Sequence, residues 1–255
     1  GCVFAPRCDR ADERCHNEAP ELVGTASQVA CWKPITTNDI HLPVLTVSDV
    51  QTQNTDNELV VIKGISKRFS PSAPLALDNV DISIHSGEAV GIVGESGSGK
   101  TTLARCLIGL ESFDSGNISW SINTPMAQRA QIVFQDPYSS LDPRQSIGSA
   151  LHEALSISMK DSDEVIVRAN ELADLVGLPQ RILELRPAKL SGGQRQRAAI
   201  ARALASNPKA LILDESVAAL DVSIQAQILN LLVDIREQTG IAYILVSHDL
   251  AVVRH

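Results

Sequence analysis

No run of apolar residues in this chain approaches the roughly 18 to 20 needed to cross a bilayer as a helix. The longest uninterrupted ones are short strand-like pieces such as Ala89 to Val93, so the chain itself reads as soluble. Blocks of like charge are lacking too: 22 Lys and Arg are interspersed with 30 Asp and Glu for a net charge of -8, which leaves no electrostatic footprint for nucleic acid. The start, Gly1-Cys2-Val3-Phe4-Ala5-Pro6-Arg7-Cys8, has neither an initiator Met nor the apolar core of a signal peptide, and reads as a cut rather than a natural beginning. Of five cysteines, four fall within the first 31 residues and the fifth is Cys106. A disulfide framework for a secreted enzyme would be spread differently, so a reducing, cytoplasmic compartment is expected. Internal repeats and low-complexity segments are also missing. What remains is 255 residues with 44% hydrophobic content, enough to bury the core of one large domain with an appendage.

The texture changes twice along the chain. Residues 1–33 are rich in Cys, Pro and charge, and residues 34–57 are largely Thr, Asn, Asp, Gln and Ser, which predicts a linker. From residue 58 onward short β-branched runs between turns predict strands at Leu59 to Lys63, Val80 to Ile84, Ala89 to Val93, Ile118 to Ile122 and Gln131 to Phe134. A helix-rich stretch follows over Ile147 to Leu185, with Leu172, Leu175 and Val176 on one face and Gly177-Leu178-Pro179 as its stop. Helix and buried strand then alternate: Gly192 to Ala205, Ala210 to Leu213, Ser223 to Glu237, Ile241 to Val246. The pattern predicts an α/β fold with a mostly parallel sheet, helices packed on it, and a helical insert over about 137–190.

Three motifs carry chemistry. Gly94-Glu95-Ser96-Gly97-Ser98-Gly99-Lys100-Thr101 fits the phosphate-loop pattern and lies between a buried strand and the helical run Thr102 to Leu107. Its glycines let backbone N–H groups turn inward around phosphate oxygens, Lys100 reaches the terminal phosphates, and Thr101 offers a hydroxyl to magnesium. Ala210-Leu211-Ile212-Leu213-Asp214-Glu215 is an apolar strand that delivers two carboxylates at its end. Asp214 would hold the magnesium and Glu215 would polarise the water that attacks a γ-phosphate. Leu190-Ser191-Gly192-Gly193-Gln194 places a Ser-Gly-Gly turn at a helix N-terminus, where free N–H groups and the positive dipole end face an anion.

Phosphate loop, LSGGQ, the ILDE strand and then Val246-Ser247-His248-Asp249, in that order, resemble an ABC ATPase over about residues 58–255. The resemblance implies a P-loop NTPase core with an antiparallel β subdomain and the helical insert, using ATP and magnesium. Gly94 to Thr102 would then contact nucleotide. Gln135 would sense the γ-phosphate and magnesium, His248 would be the switch histidine and Phe69 would stack on adenine. Asp221, in Ala218-Ala219-Leu220-Asp221, would sit in the loop linking two active sites, although the family more often has Ser at the Ala218 position. In such proteins two ATPase domains pack head to tail, so that Ser191, Gly192, Gly193 and Gln194 of one close over ATP held by the other.

Gln135-Asp136-Pro137-Tyr138-Ser139-Ser140-Leu141-Asp142-Pro143-Arg144 and Asp214-Glu215-Ser216-Val217-Ala218-Ala219-Leu220-Asp221-Val222-Ser223 are similar to the oligopeptide and dipeptide (nickel) importer subfamily. That likeness implies peptide import, transmembrane permease partners, a substrate-binding protein at one remove, no nucleic acid, and a peripheral place on the cytoplasmic membrane face. Cys2, Cys8, Cys15 and Cys31 resemble the subfamily's tail, which holds a four-iron four-sulfur cluster in some members. Zinc or no metal stay open beside it, although the tight C-x-x-C pairs common in zinc sites are missing. Such a tail ahead of an ATPase core suggests a longer parent chain with two ATPase domains in tandem, cut at both ends. Cys106 reads as a small core residue. The alternative function is a soluble ABC ATPase of assembly, repair or translation; coiled-coil, zinc-finger or basic-arm insertions would mark the repair and translation members, and none is visible.

Overall fold

The run from Glu58 to Lys67 opens with four successive aliphatic residues, Leu59-Val60-Val61-Ile62, and with Leu59, Val60, Ile62 and Ile65 buried it forms the central strand of an antiparallel sheet. The computed structural model describes residues 2, 5, 11–21, 30–33, 57–136, 140–218 and 220–254. Its chain falls into two units, Gly1–Gln53 and Asn54–His255.

In the larger unit, β1 (Glu58–Lys67) lies between β2 (Leu77–His85) and β4 (Ser115–Trp120), antiparallel to both. The second sheet is parallel, in the order β3 (Ala89–Val93), β7 (Ala242–Ser247), β6 (Ala210–Asp214), β5 (Ala130–Val133). Between β3 and β4 runs α2 (Lys100–Leu107), and α3 (Met126–Arg129) is a single turn leading into β5. The helical insert consists of α4 (Ile147–Ser156), α5 (Ser162–Leu175) and two short 3-10 turns, Gln180–Glu184 and Pro187–Lys189. After it come α6 (Gly192–Leu204), α7 (Val222–Thr239) and α8 (Leu250–Arg254). Among the described residues no helix is long and apolar enough to cross a membrane.

Two cores follow from this layering. Ile62, Ile65, Leu107, Ile212 and Ile244 pack where the antiparallel sheet, α2 and the parallel sheet meet. Leu151, Leu155, Leu172, Ile200 and Ile228 tie the insert to α6 and α7. The α/β class, the parallel sheet and the helical insert match the sequence expectation. The boundaries differ where pairing overrides local preference. The strand expected at Ile118 to Ile122 begins at Ser115 and ends at Trp120, because Ser115 pairs with Ser66 of β1. The strand expected to stop at Lys63 continues to Lys67 by way of a bulge at Gly64, and β5 ends one residue early, at Val133. The single helical run expected from Ile147 is broken after Ser156, and Asp161 restarts it by accepting hydrogen bonds from the N–H groups of Asp163 and Glu164.

The smaller unit is built around α1 (Glu13–Asn17), whose N-cap Asp12 accepts from the Cys15 N–H at 3.1 Å. Lys33 pairs with Asp12 at 2.8 Å and, chiefly through that hydrogen bond, holds its carboxyl well below the usual range. The Arg14 guanidinium lies 3.5 Å from the Trp32 ring centre. Cys8 and residues 34–56 of the expected linker lie outside the described residues, as do Pro137, Tyr138, Ser139 and Ala219.

Gly116 faces Gly64 at the bulge, both with left-handed backbone (φ 100° and 64°), and a Cβ on Gly116 would meet the Gly64 carbonyl at 2.5 Å. Gly116→Ala should therefore cost on the order of 2–3 kcal/mol, read as a lower urea midpoint with unchanged slope. An unmoved midpoint would show that the β1–β4 bulge is not held as described.

Candidate nucleotide site

Parallel strands in step deliver their carboxyl ends to one edge. Val93 of β3 pairs with Ser247 of β7, and Asp214 of β6 pairs with Val246, so the segments following all three emerge side by side. The phosphate-loop residues 94–99 leave β3 and enter α2 through Gly99, whose φ of 92° no L side chain adopts comfortably and whose Cβ would collide with the Ala76 carbonyl oxygen. Gly97 is also left-handed (φ 83°), and a Cβ on Gly94 would stand 2.7 Å from Ser98 Oγ. With Gly99 at the N-cap, α2 starts without a side-chain cap, so its first-turn N–H groups are available to an anion.

Lys100 is buried, 7% exposed, and its ammonium donates to the carbonyls of Gly94 at 2.8 Å and Glu95 at 2.7 Å and to Ser98 Oγ at 3.4 Å. The loop thereby holds the lysine's charge at its own centre. Next to it Thr101 Oγ1 donates to Asp214 Oδ1 at 3.1 Å, across 113 positions of sequence. Burial pushes the Asp214 carboxyl above its ordinary range and the Glu215 charge adds to that, while the Thr101 hydroxyl, Arg105 and Lys100 pull it back. Glu215 has φ 47°, a left-handed conformation, and its N–H donates to the Val246 carbonyl at 2.9 Å. His248 Nδ1 lies 3.5 Å from Glu215 Oε1.

One cavity of about 510 Å³ is lined by Ser96, Gly97, Gly99, Lys100, Thr101, Thr102, Gln135 and Glu215 on its polar side. Phe69, Ala73, Pro74, Leu75 and Ala76 line its apolar side. Phe69 is 61% exposed, an aromatic ring left facing solvent at the mouth of a polar cleft. The sequence reading missed the 73–76 rim. Its signal was the Ser70-Pro71-Ser72-Ala73-Pro74 turn directly after Phe69, which turns the chain back so that the Ala76 N–H donates to the Lys67 carbonyl at 2.7 Å.

Ser191, Gly192, Gly193, Gln194 and Asp221 do not line this cavity. Ser191 instead caps α6 in a reciprocal box: its Oγ accepts from Gln194 N–H at 3.3 Å, and Gln194 Oε1 accepts from Ser191 N–H at 3.0 Å. Asp221 is the N-cap of α7. In the smaller unit Cys15 is buried, Cys2 and Cys31 are half-buried, and all three are free thiols. Cys2 N–H donates to the Cys15 carbonyl at 2.7 Å, and Cys31 Sγ accepts from Lys33 N–H at 3.4 Å. Among the described residues no three His, Cys, Asp or Glu side chains gather closely enough to hold a metal, and Cys8 lies outside them. Cys106 is a buried member of the α2 core, and burial raises its thiol pKa.

A family model for the ABC transporter matches residues 77–218, which takes in the phosphate loop, the LSGGQ turn and the Asp214–Glu215 strand end. The chain belongs to the ABC transporter family. It is similar to a peptide import ATP-binding protein of Brucella abortus (strain 2308), 47% identical over 194 residues, covering 70% of this chain and 57% of the relative. It is similar to the oligopeptide transport ATP-binding protein OppF of Lactococcus lactis subsp. lactis, 45% identical over 192 residues, covering 71% and 60%. The oligopeptide transport ATP-binding protein OppD of Mycobacterium bovis aligns with 100% of this chain at 38% identity over 288 residues, which is 46% of that relative. The chain thus spans about half the length of the curated relatives it matches. Among solved structures it is similar to cbiO1 from Clostridium perfringens, part of the ABC transporter complex cbiONQ, with TM-score 0.70 and 29% identity over 77% of this chain and 81% of that one. It is likewise similar to the ATP-binding cassette MJ0796 in a dimeric post-hydrolysis state bound to ADP and Pi, with TM-score 0.68 and 31% identity over 77% and 90%. The structural likeness agrees with the α/β P-loop NTPase class expected for such a cassette.

The left-handed backbone at Glu215 is strain held at the end of β6. Glu215→Gly relieves it and should raise stability by roughly 1 kcal/mol, seen as a higher urea midpoint, while removing the carboxylate. A lower midpoint would show that the Glu215 side chain contributes more than its backbone costs.

Proposed function

We propose that the chain is an ATP-binding and ATP-hydrolysing domain that powers import of peptides or related small cargo through an ABC transporter. The observation that carries this is one cavity in which Lys100, Thr101, Gln135 and Glu215 face Phe69 and its apolar rim, a shape for a triphosphate at one end and a base at the other. Bound phosphates would replace the Gly94 and Glu95 carbonyls as partners of the Lys100 ammonium and take up the first-turn N–H groups of α2. Thr101, Asp214 and Gln135 supply the oxygen donors that suit magnesium, which when bound neutralises phosphate charge. Glu215 accepts the proton of the attacking water as that water's oxygen bonds to the γ-phosphorus and the bond to the β-phosphate oxygen breaks, giving ADP and phosphate. His248 orients that carboxylate and contacts the γ-phosphate; its Nδ1, 3.5 Å from Glu215 Oε1, supports the first of these roles.

The α6 N-terminus, Ser191 to Gln194, with Asp221 beside it, serves a second ATPase domain packed head to tail; the dimeric state named for MJ0796 supports this. Permease subunits, a binding protein beyond them and a peripheral place on the cytoplasmic membrane face follow the names of the peptide-import relatives, which give no support to assembly, repair or translation. Residues 58–255 form the ATPase domain, with 34–57 as linker and 1–33 as the tail of a preceding ATPase domain in one tandem chain. The OppD relative, of which this chain including its Cys-rich start matches 46%, supports that arrangement.

Lys100→Ala should remove most ATP affinity. Glu215→Gln should keep ATP bound and lower turnover by roughly 10²- to 10⁴-fold, the loss expected for a general base. Both are checked by equilibrium ATP binding beside phosphate release, with a partner domain and permease subunits present. Parent-rate hydrolysis by Glu215→Gln would overturn the assignment of the base.

For Cys2, Cys8, Cys15 and Cys31 the proposal is a four-iron four-sulfur cluster. It rests on the resemblance of these four cysteines to the importer subfamily's tail, since the three described ones do not form a metal-holding group by themselves. Protein purified anaerobically should carry about four iron and four sulfide per chain and lose both in the Cys8→Ser/Cys15→Ser variant, with ATP affinity unchanged. One zinc per chain without sulfide, or neither metal, would reject the cluster.

A further inference from the structure

Phe69 is poorly held by packing. It is 61% exposed, two residues past the end of β1, and a ring so placed samples several rotamers unless something orients it. The group in reach is the Lys67 ammonium, 5.3 Å from the ring centre and therefore within cation–π range. Lys67 is itself fixed: it is buried, its Nζ pairs with Glu111 Oε1 at 2.9 Å and donates to Ser112 Oγ at 3.3 Å. The Glu111 hydrogen bond holds the lysine above its ordinary pKa, so it stays charged.

Glu111 belongs to the turn that ends α2, where its N–H and that of Leu110 donate to the Arg105 carbonyl at 3.3 and 2.9 Å. A second tie runs alongside. Arg68 N–H donates to Asp114 Oδ2 at 2.7 Å, and Asp114 N–H donates to the Ser66 carbonyl at 2.8 Å. Arg68 also donates to the Ala73 carbonyl, which ties the start of the apolar rim to the end of β1. One end of α2 thus carries Lys100 and Thr101, and the turn at its other end grips Ser66, Lys67 and Arg68, the three residues just before Phe69.

We infer that Lys67, clamped by Glu111 and Ser112, is a positioning residue that presets the Phe69 ring for a nucleobase and fixes it to the helix carrying the phosphate loop. This rests on the nucleotide reading of the cavity. The ammonium acts through the ring and reaches no phosphate, so its loss should weaken binding of a nucleotide and leave binding of a bare phosphate chain alone.

The test compares dissociation constants of ATP and inorganic tripolyphosphate for the full chain and its Lys67→Met, Lys67→Arg, Glu111→Gln, Phe69→Ala and Lys67→Met/Phe69→Ala variants, with urea midpoints to verify folding. Lys67→Met should weaken ATP roughly twofold to fivefold, the size of an exposed cation–π contact, and leave tripolyphosphate unchanged. Lys67→Arg should restore ATP affinity, and Glu111→Gln should fall between. In the Phe69→Ala background Lys67→Met should add nothing, since the two act as one unit. Equal weakening of ATP and tripolyphosphate, or a full Lys67→Met effect without Phe69, would overturn the inference and leave Lys67 a structural ion pair. Unchanged ATP binding in Phe69→Ala would instead overturn the base-platform reading itself, a result separable from the Lys67 series.

Discussion

The register of the parallel sheet is the constraint on which the rest depends. β6 is buried at every position, Ala210 to Asp214, and β7 is buried at all but Leu245, so neither can slip by one residue without turning its side chains to the wrong surroundings. Held in that register, Val93, Asp214 and Ser247 end level with one another. Groups more than a hundred positions apart, such as Thr101 and Asp214, then meet within hydrogen-bonding distance. A shift of one residue in β6 would swap the places of Asp214 and its neighbours, breaking the Thr101–Asp214 hydrogen bond and moving Glu215, the carboxylate that lines the cavity.

That edge is also where the chain accepts unfavourable chemistry. Lys100 is buried among carbonyl oxygens, Asp214 is a carboxyl whose ionisation burial opposes, and Glu215 has a backbone conformation that favours glycine. Each lowers stability where it stands, and the two apolar cores on either side make the arrangement tolerable. The same logic explains the glycines: a Cβ at Gly99 would strike the Ala76 carbonyl, so the phosphate loop and the apolar rim can approach only because that side chain is missing.

Elements whose apolar runs match their own period were legible in the sequence. Ala89 to Val93 appears as β3 without adjustment, and the Ala210 and Ile241 runs shift by a residue at most. The phosphate loop, the Asp214–Glu215 pair and the LSGGQ turn were legible because backbone dihedrals, chain direction and charge all demand particular residues there. The bulged part of β1 and the start of β4 were not. Gly64 and Gly116 have low strand propensity, and only the facing strand makes them part of a sheet. The Lys67–Glu111 pair was equally hidden, since charged residues 44 positions apart show no pattern until β1 and α2 are laid together.

The division between what lines the cavity and what does not has a physical basis in α6 and α7. Gly192 and Gly193 are small because the α7 side leaves no room: an added Cβ would come within 3.3 Å of Leu220 Cδ2 and 2.8 Å of Ile224 Cγ2. The close approach groups the Ser191 turn and the start of α7 into one patch, with the α6 dipole pointing out of it and the capping box fixing Ser191 in place. Such a patch suits an anion, and it is separate from the cavity that Lys100 and Thr101 line. On the reading proposed above, each copy offers a cradle and a lid that cannot serve one another, so two copies facing in opposite directions satisfy both at once. The capping box gives that lid a fixed shape before any partner arrives, and a preset donor array costs less to close than one that must be ordered on contact.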